Sequence, residues 1–229
     1  MISLTVFDTF LSTLPLLLAI ALFQWKLNGC RDILVASARM VLQLIAMGYL
    51  LAILFEYRWN TLGIAVITFM TLVSAAIAIR PLKSKSWRHF NAAALALFLA
   101  SGLHLAWIVL IVLKLSPWYQ PQLVVPLAGM VFANGMNSLS LGAERFEAEQ
   151  KHNNENAATC AFNAAMIPQI NALLAVGLVS LPGMMTGQIL SGISPLEAVR
   201  YQIMVMSMVA GTSALSLTIY FYALNFKRQ

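Results

Sequence analysis

Charge is what this 229-residue chain has least of: 14 Lys and Arg with 8 Asp and Glu make 10% of it, against 60% hydrophobic residues. Globular chains carry roughly 25% charged and 45–50% apolar residues, so too little charge is present to dress a water-facing surface. That excludes a disordered chain, a secreted globule, and an enzyme needing its own cytosolic domain. Cysteine is as scarce. Cys30 and Cys160 carry neither a disulfide framework nor a zinc site and read as small apolar residues near helix ends. The motifs of hydrolytic and nucleotide chemistry are missing too: there is no HExxH, GxSxG, CxxC or GxxxxGK[ST], so the chain does not hydrolyse nucleotide by the phosphate-loop route. The first charge is Asp8 and the first basic residue Lys26; without a positive n-region, no cleaved signal peptide is expected.

Long apolar runs are what the chain does have. A hydrocarbon core of about 30 Å needs roughly 20 apolar residues per helical crossing. Seven runs meet that need: Leu4–Gln24, Ile33–Phe55, Thr61–Ile79, Asn91–Leu113, Leu123–Glu147, Ala161–Val179 and Arg200–Ala223. Pro81, Pro117 and Pro121 fall between them as breakers. Trp25, Tyr57, Trp59, Trp87, Trp118, Tyr119, Tyr220 and Tyr222 stand at run ends, where an aromatic belt belongs. The expected fold is all-α: a polytopic membrane bundle of about seven helices, one transmembrane domain over residues 1–229. The net charge of +6 then records topology rather than nucleic-acid binding. With the N-terminus outside, the cytoplasmic segments hold Lys26, Arg31, Arg80, Lys83, Lys85, Arg88, Arg145, Lys151, Lys227 and Arg228. The outer ones hold only Arg58, Lys114 and Arg200. That bias predicts an outside N-terminus and a cytoplasmic C-terminus.

Polar residues inside the runs are functional candidates by default. Arg39 and Gln43, four apart, share a helix face, although Arg39 is near enough to the helix end to snorkel. His104 reads as hydrogen-bonded to a neighbouring helix sooner than metal-bound. Asn134, Asn137 and Ser138 make a polar patch beside Gly129, Ala133 and Gly135, suited either to interhelical hydrogen bonds or to a polar pathway. Met204 with Met208, and Met184 with Met185, place soft thioethers that mostly serve packing. Residues 177–195, GLVSLPGMMTGQILSGISP, are apolar but too rich in Gly and Pro for one uninterrupted helix. Broken backbone at membrane depth persists only where protein buries it or water lines it. Pro182, Gly183, Met184, Met185, Gly187 and Gln188 thus form a candidate gate or subunit contact, with a tight outer turn as the alternative. The small pair Gly183 and Gly187 is spaced for close helix approach. Glu144, Arg145, Glu147 and Glu149 lie on a charged helix end.

The stretch Val176–Val205, VGLVSLPGMMTGQILSGISPLEAVRYQIMV, resembles the signature of the FetB-type permeases, membrane subunits of bacterial ABC transporters tied to iron export, with plant relatives linked to aluminium tolerance. Arg39, Gln43–Leu44, Gly48–Tyr49, Pro126, Gly129–Met130, Asn134, Pro168 and Asn171 agree in order. The resemblance implies an inner-membrane, multi-pass permease that is not itself an enzyme and needs no cofactor. It would act as a homodimer, driven by a separate cytoplasmic ATP-binding subunit, and export iron or another metal; it names no metal ligand here. Asn134 and Asn137 with the broken segment would line the route, and Glu144, Arg145, Glu147 and Glu149 would dock the ATPase with support from Lys83–Arg88. The chain departs from the pattern at Ala133 and Leu174, and its link from Glu149 to Ala157 lacks an additional short helical stretch. A second reading follows from that shortening: a membrane assembly protein that has lost energy coupling.

Overall fold

The computed structural model describes residues 5–27, 30–56, 60–83, 85–152 and 154–224. Tyr57, Arg58, Trp59, Lys227 and Arg228 lie outside them. Among the described residues, seven helical spans are long and apolar enough to cross a membrane. The chain is a multi-pass helical membrane protein whose residues divide into two units, 1–57 and 58–229.

The first unit contains α1 (Val6–Leu11), α2 (Leu14–Leu27) and α3 (Cys30–Glu56). Where one run from Leu4 to Gln24 was expected, the backbone breaks at Ser12 and Thr13. Ser12 Oγ donates to Thr9 O and Thr13 Oγ1 to Phe10 O, both at 2.7 Å. Pro15, lacking an N–H and crowding the preceding turn, is accommodated only in the first turn of a new helix. Asp8, the one acidic residue in this run, is taken up by a capping box: its carboxylate accepts from Thr5 N at 2.9 Å, and Thr5 Oγ1 accepts from Asp8 N at 3.2 Å.

The second unit contains α4 (Asn60–Ala78), α5 (Trp87–Ala106), α6 (Pro121–Lys151), α7 (Ala157–Ala175), α8 (Gly183–Leu190) and α9 (Pro195–Ala223). Its centre is the packing of α5, α6 and α9, built on small residues. Ala93, Ala96 and Ala100 of α5 are fully buried, as are Ser213 and Ser216 of α9. A Cβ at Gly135 would stand 3.1 Å from Leu97 Cδ2 and 3.3 Å from Thr212 Cγ2, and one at Gly142 would run into Leu217. Small side chains let membrane helices approach closely, where apolar surface alone gives no drive. Pro126 and Pro168 are held inside α6 and α7, and Pro121 and Pro195 start α6 and α9, where the missing N–H is harmless.

α5 does not end as a regular helix. Residues Trp107–Val112 widen into a π-helical stretch, and Leu113 N donates to Ile108 O, five residues back, at 2.8 Å. The aromatic belt divides in two. Trp87 and Tyr222 are 79% and 82% exposed, whereas Tyr119 and Tyr220 are buried. Tyr119 lies so close to Gly63 that a Cβ there would sit 2.5 Å from the ring.

Candidate functional site

The candidate route centres on α6, α7 and α9. Asn134 Nδ2 donates to Met130 O at 2.9 Å, one turn back, which leaves Oδ1 free to accept from Gln169 Nε2 of α7 at 3.1 Å. The polar patch is therefore an α6–α7 clasp. Ser138 is buried and Asn137 exposed, so the two asparagines do not act together. Gln169 is the partner that sequence reasoning missed, since a glutamine 35 residues away gives no spacing signal.

The break after α7 has a definite form. Val176 ends the helix in extended backbone, and Gly177 and Gly192 take φ of +82° and +92°, a region that side chains disfavour. Between them Pro182 precedes a helix of eight residues, about two turns, Gly183–Leu190. Gly183 and Gly187 serve no close approach among the described residues: a Cβ at either meets nothing of them within 4 Å. α8 and the flanking turn instead roof a cavity of about 310 Å³ over α9, lined among others by Leu173, Gly177, Met185, Gln202, Ile203 and Met206. Of the candidate gate residues, Met185 lines this cavity, while Met184 is half-buried outside it. Gln188 is half-buried and its Oε1 has no hydrogen-bond partner among the described residues. Gln202, 6% exposed, likewise keeps an unpartnered Oε1. Met206, not Met204 or Met208, supplies the α9 thioether; its four-residue offset from Gln202 was the available signal.

His104 is held within its own helix. Its Nδ1 donates to Ala100 O at 2.8 Å, since a carbonyl only accepts, and its Nε2 rests where a Cβ on Gly211 would come within 2.5 Å. In the first unit, with the Gln43 amide turned so that its carbonyl faces the guanidinium, that oxygen accepts from Arg39 Nε at 2.9 Å and Nη2 at 3.3 Å. The two residues are thus a pair on α3.

At 31 residues, α6 is about 46 Å long, more than the roughly 30 Å hydrocarbon core. Its last turns carry the charged residues. Glu144 and Arg145 are exposed, and Arg145 pairs with Glu149. Glu147 Oε2 accepts from Lys83 N at 3.0 Å, and Glu147 Oε1 pairs with Lys151 at 3.5 Å. Glu149 accepts from Asn154 Nδ2 at 2.6 Å, and Asn154 Oδ1 accepts from Asn156 N at 2.9 Å. The described residues of the α6–α7 link thus form a side-chain-tied turn. Three of the four docking candidates, Arg145, Glu147 and Glu149, already hold the protein's own backbone and side chains.

The model of the uncharacterised protein family UPF0014 matches residues 7–160 and 148–227. The chain belongs to this family. It is 35% identical to the UPF0014 membrane protein slr1647 of Synechocystis over 86% of this chain and 83% of the other. To the probable iron export permease protein FetB of Escherichia coli it is 33% identical, over 86% and 81%. To the protein ALUMINUM SENSITIVE 3 of Arabidopsis thaliana it is 26% identical, over 88% and 78%. No solved structure matches. The segment that carries the resemblance, Val176–Val205, also builds α8 and most of the cavity wall.

Proposed function

We propose that this UPF0014 protein is the membrane-spanning permease subunit of an ABC transporter, exporting iron or another metal ion. A separate ATP-binding subunit drives it, it works as a homodimer in the inner membrane, and its N-terminus lies outside. The observation that carries this reading is the union of two features in one segment. The stretch Val176–Val205, which carries the resemblance to the permeases, holds a broken helical segment and supplies most of the lining of a cavity between membrane-crossing helices, where irregular backbone survives only beside protein or water. Within this reading Met185, Gln202 and Met206 line the route, Pro182, Gly183, Met184, Gly187 and Gln188 belong to the broken segment beside it, and Asn134 braces α6 against α7 through Gln169, whereas exposed Asn137 stands apart. Among the described residues no three His, Cys, Asp or Glu side chains converge on a metal position. In this reading Gln202 and Met206 of the cavity offer the cargo ion an amide oxygen and a thioether, a weakly held set suited to passage rather than storage.

For the ATPase dock, Glu144 and Arg145 are the exposed surface; Arg145 pairs with Glu149 along the same helix, and Glu147 holds Lys83 N and Lys151. Co-purification tests this. Glu144→Lys with Arg145→Glu should lose the ATP-binding subunit at low salt, whereas Glu147→Gln should weaken the Lys83 loop first. The short α6–α7 turn, with residues 152–156 between helices, is the observation favouring the assembly-protein alternative. Failure of the wild type to capture any ATP-binding subunit would give that alternative the lead.

A further inference from the structure

The loop between α4 and α5 has more charge than its connecting role needs. Residues 79–86 join two membrane-crossing helices, and within 80–88 stand Arg80, Lys83, Lys85 and Arg88 with no acidic residue. So short a connection doubles back within the headgroup layer, since each residue spans at most about 3.3–3.6 Å. Its described part is fastened from below. Leu82 is 3% exposed, Leu82 N donates to Ile79 O at 3.2 Å, and Lys83 N donates to the Glu147 carboxylate at 3.0 Å. Ser86 Oγ caps α5 by accepting from His89 N. Arg80, Lys83, Lys85 and Arg88 are all exposed. The two ion pairs among the described residues, Arg145–Glu149 and Lys151–Glu147, use none of them. Arg88 also donates to Leu224 O at 3.1 Å, tying the loop to the end of α9. Beside them Trp87 is 79% exposed at the first position of α5, the depth at which indole rings sit among headgroups.

The geometry points to this loop as a binding site for anionic phospholipid headgroups. Buried Leu82 and the Glu147 bond hold the backbone, Arg80, Lys83 and Lys85 meet the phosphates, and Trp87 lies at the acyl boundary. Lipid fits better than an acidic protein surface because the cations lie level with the membrane ends of α4 and α5, next to an indole suited to that interface. The site stands apart from the transport reading and holds whether or not the chain moves metal.

The test is native mass spectrometry of the full-length protein in detergent with equimolar phosphatidylglycerol and phosphatidylcholine. Basic residues near an anionic surface contribute about fivefold each, so the wild type should retain phosphatidylglycerol at least ~10-fold over phosphatidylcholine. Arg80→Gln/Lys83→Gln/Lys85→Gln should bring that ratio near parity while unfolding at the wild-type temperature in lipid-free detergent. Lys83→Arg/Lys85→Arg should keep it, as should Lys114→Gln elsewhere. Equal retention of the two lipids by the wild type, or an unchanged ratio in the triple variant, overturns the proposal. So does a triple variant that keeps its lipid ratio but no longer captures an ATP-binding subunit, which would make the loop a protein dock.

Discussion

Tyr119 isolates what a single buried polar atom does here. Its ring is fully buried against Gly63, its hydroxyl has no partner among the described residues, and burial pushes the phenol above the ordinary tyrosine range. Leaving such a hydroxyl unpaired costs about 1–3 kcal/mol. Tyr119→Phe should therefore raise the unfolding temperature in detergent, and a fall would mean the hydroxyl is bonded. The Asn134–Gln169 clasp behaves oppositely. Asn134→Leu strands the Gln169 amide and should cost about 1 kcal/mol, in line with interhelical hydrogen bonds in membranes. Adding Gln169→Leu should restore part of that loss, because removing both partners leaves nothing unpaired. A fully additive double variant would show that the two side chains do not interact. The sequence marked Asn134 as polar and membrane-embedded, but its partner depends on how α6 and α7 pack, which no local pattern encodes. The bond from Lys83 N to Glu147 was hidden for a related reason: its donor is a backbone N–H, and backbone groups have no sequence identity.

The helices themselves were easier to read than their interruptions. Each of the seven expected runs overlaps an observed span, because a bilayer demands long apolar stretches whatever their neighbours are. The division at Ser12–Thr13 was missed although Pro15 signals it, since the apolar run hides a proline that helices tolerate in a first turn. The π-helical widening at Trp107–Val112 carries no compositional mark. In the broken segment, density of Gly and Pro announced a break but not which glycines it needs. Gly177 and Gly192 carry the positive φ, whereas Gly183 and Gly187 stand in open space. Gly177→Val or Gly192→Val should accordingly destabilise by about 1–2 kcal/mol through backbone strain. Gly183→Val should leave monomer stability unchanged by thermal unfolding in detergent. If Gly183→Val nevertheless abolishes transport or dimerisation, α8 meets a second molecule there; if it unfolds the monomer, this placement of α8 is wrong.

The whole molecule is a family member whose crossings, apolar composition and basic bias agree with one another. Orientation is testable directly. On a background lacking Cys30 and Cys160, Lys85→Cys should resist an impermeant thiol reagent in intact cells and Lys114→Cys should react; the reverse pattern would invert the topology. Small residues and proline are placed for close packing and helix starts, and charge is concentrated at the ends of α4, α5 and α6. What the arrangement is for turns on whether the chain moves metal. The deciding measurement is elemental analysis of cells lacking the gene, challenged with excess iron and complemented with wild-type protein or with a Met206→Trp variant that fills the cavity. The account predicts higher cell-associated iron, or another metal, in the deletion strain, restored by the wild type but not by the membrane-inserted variant. Metal contents that are identical in all three strains across the transition metals would contradict it.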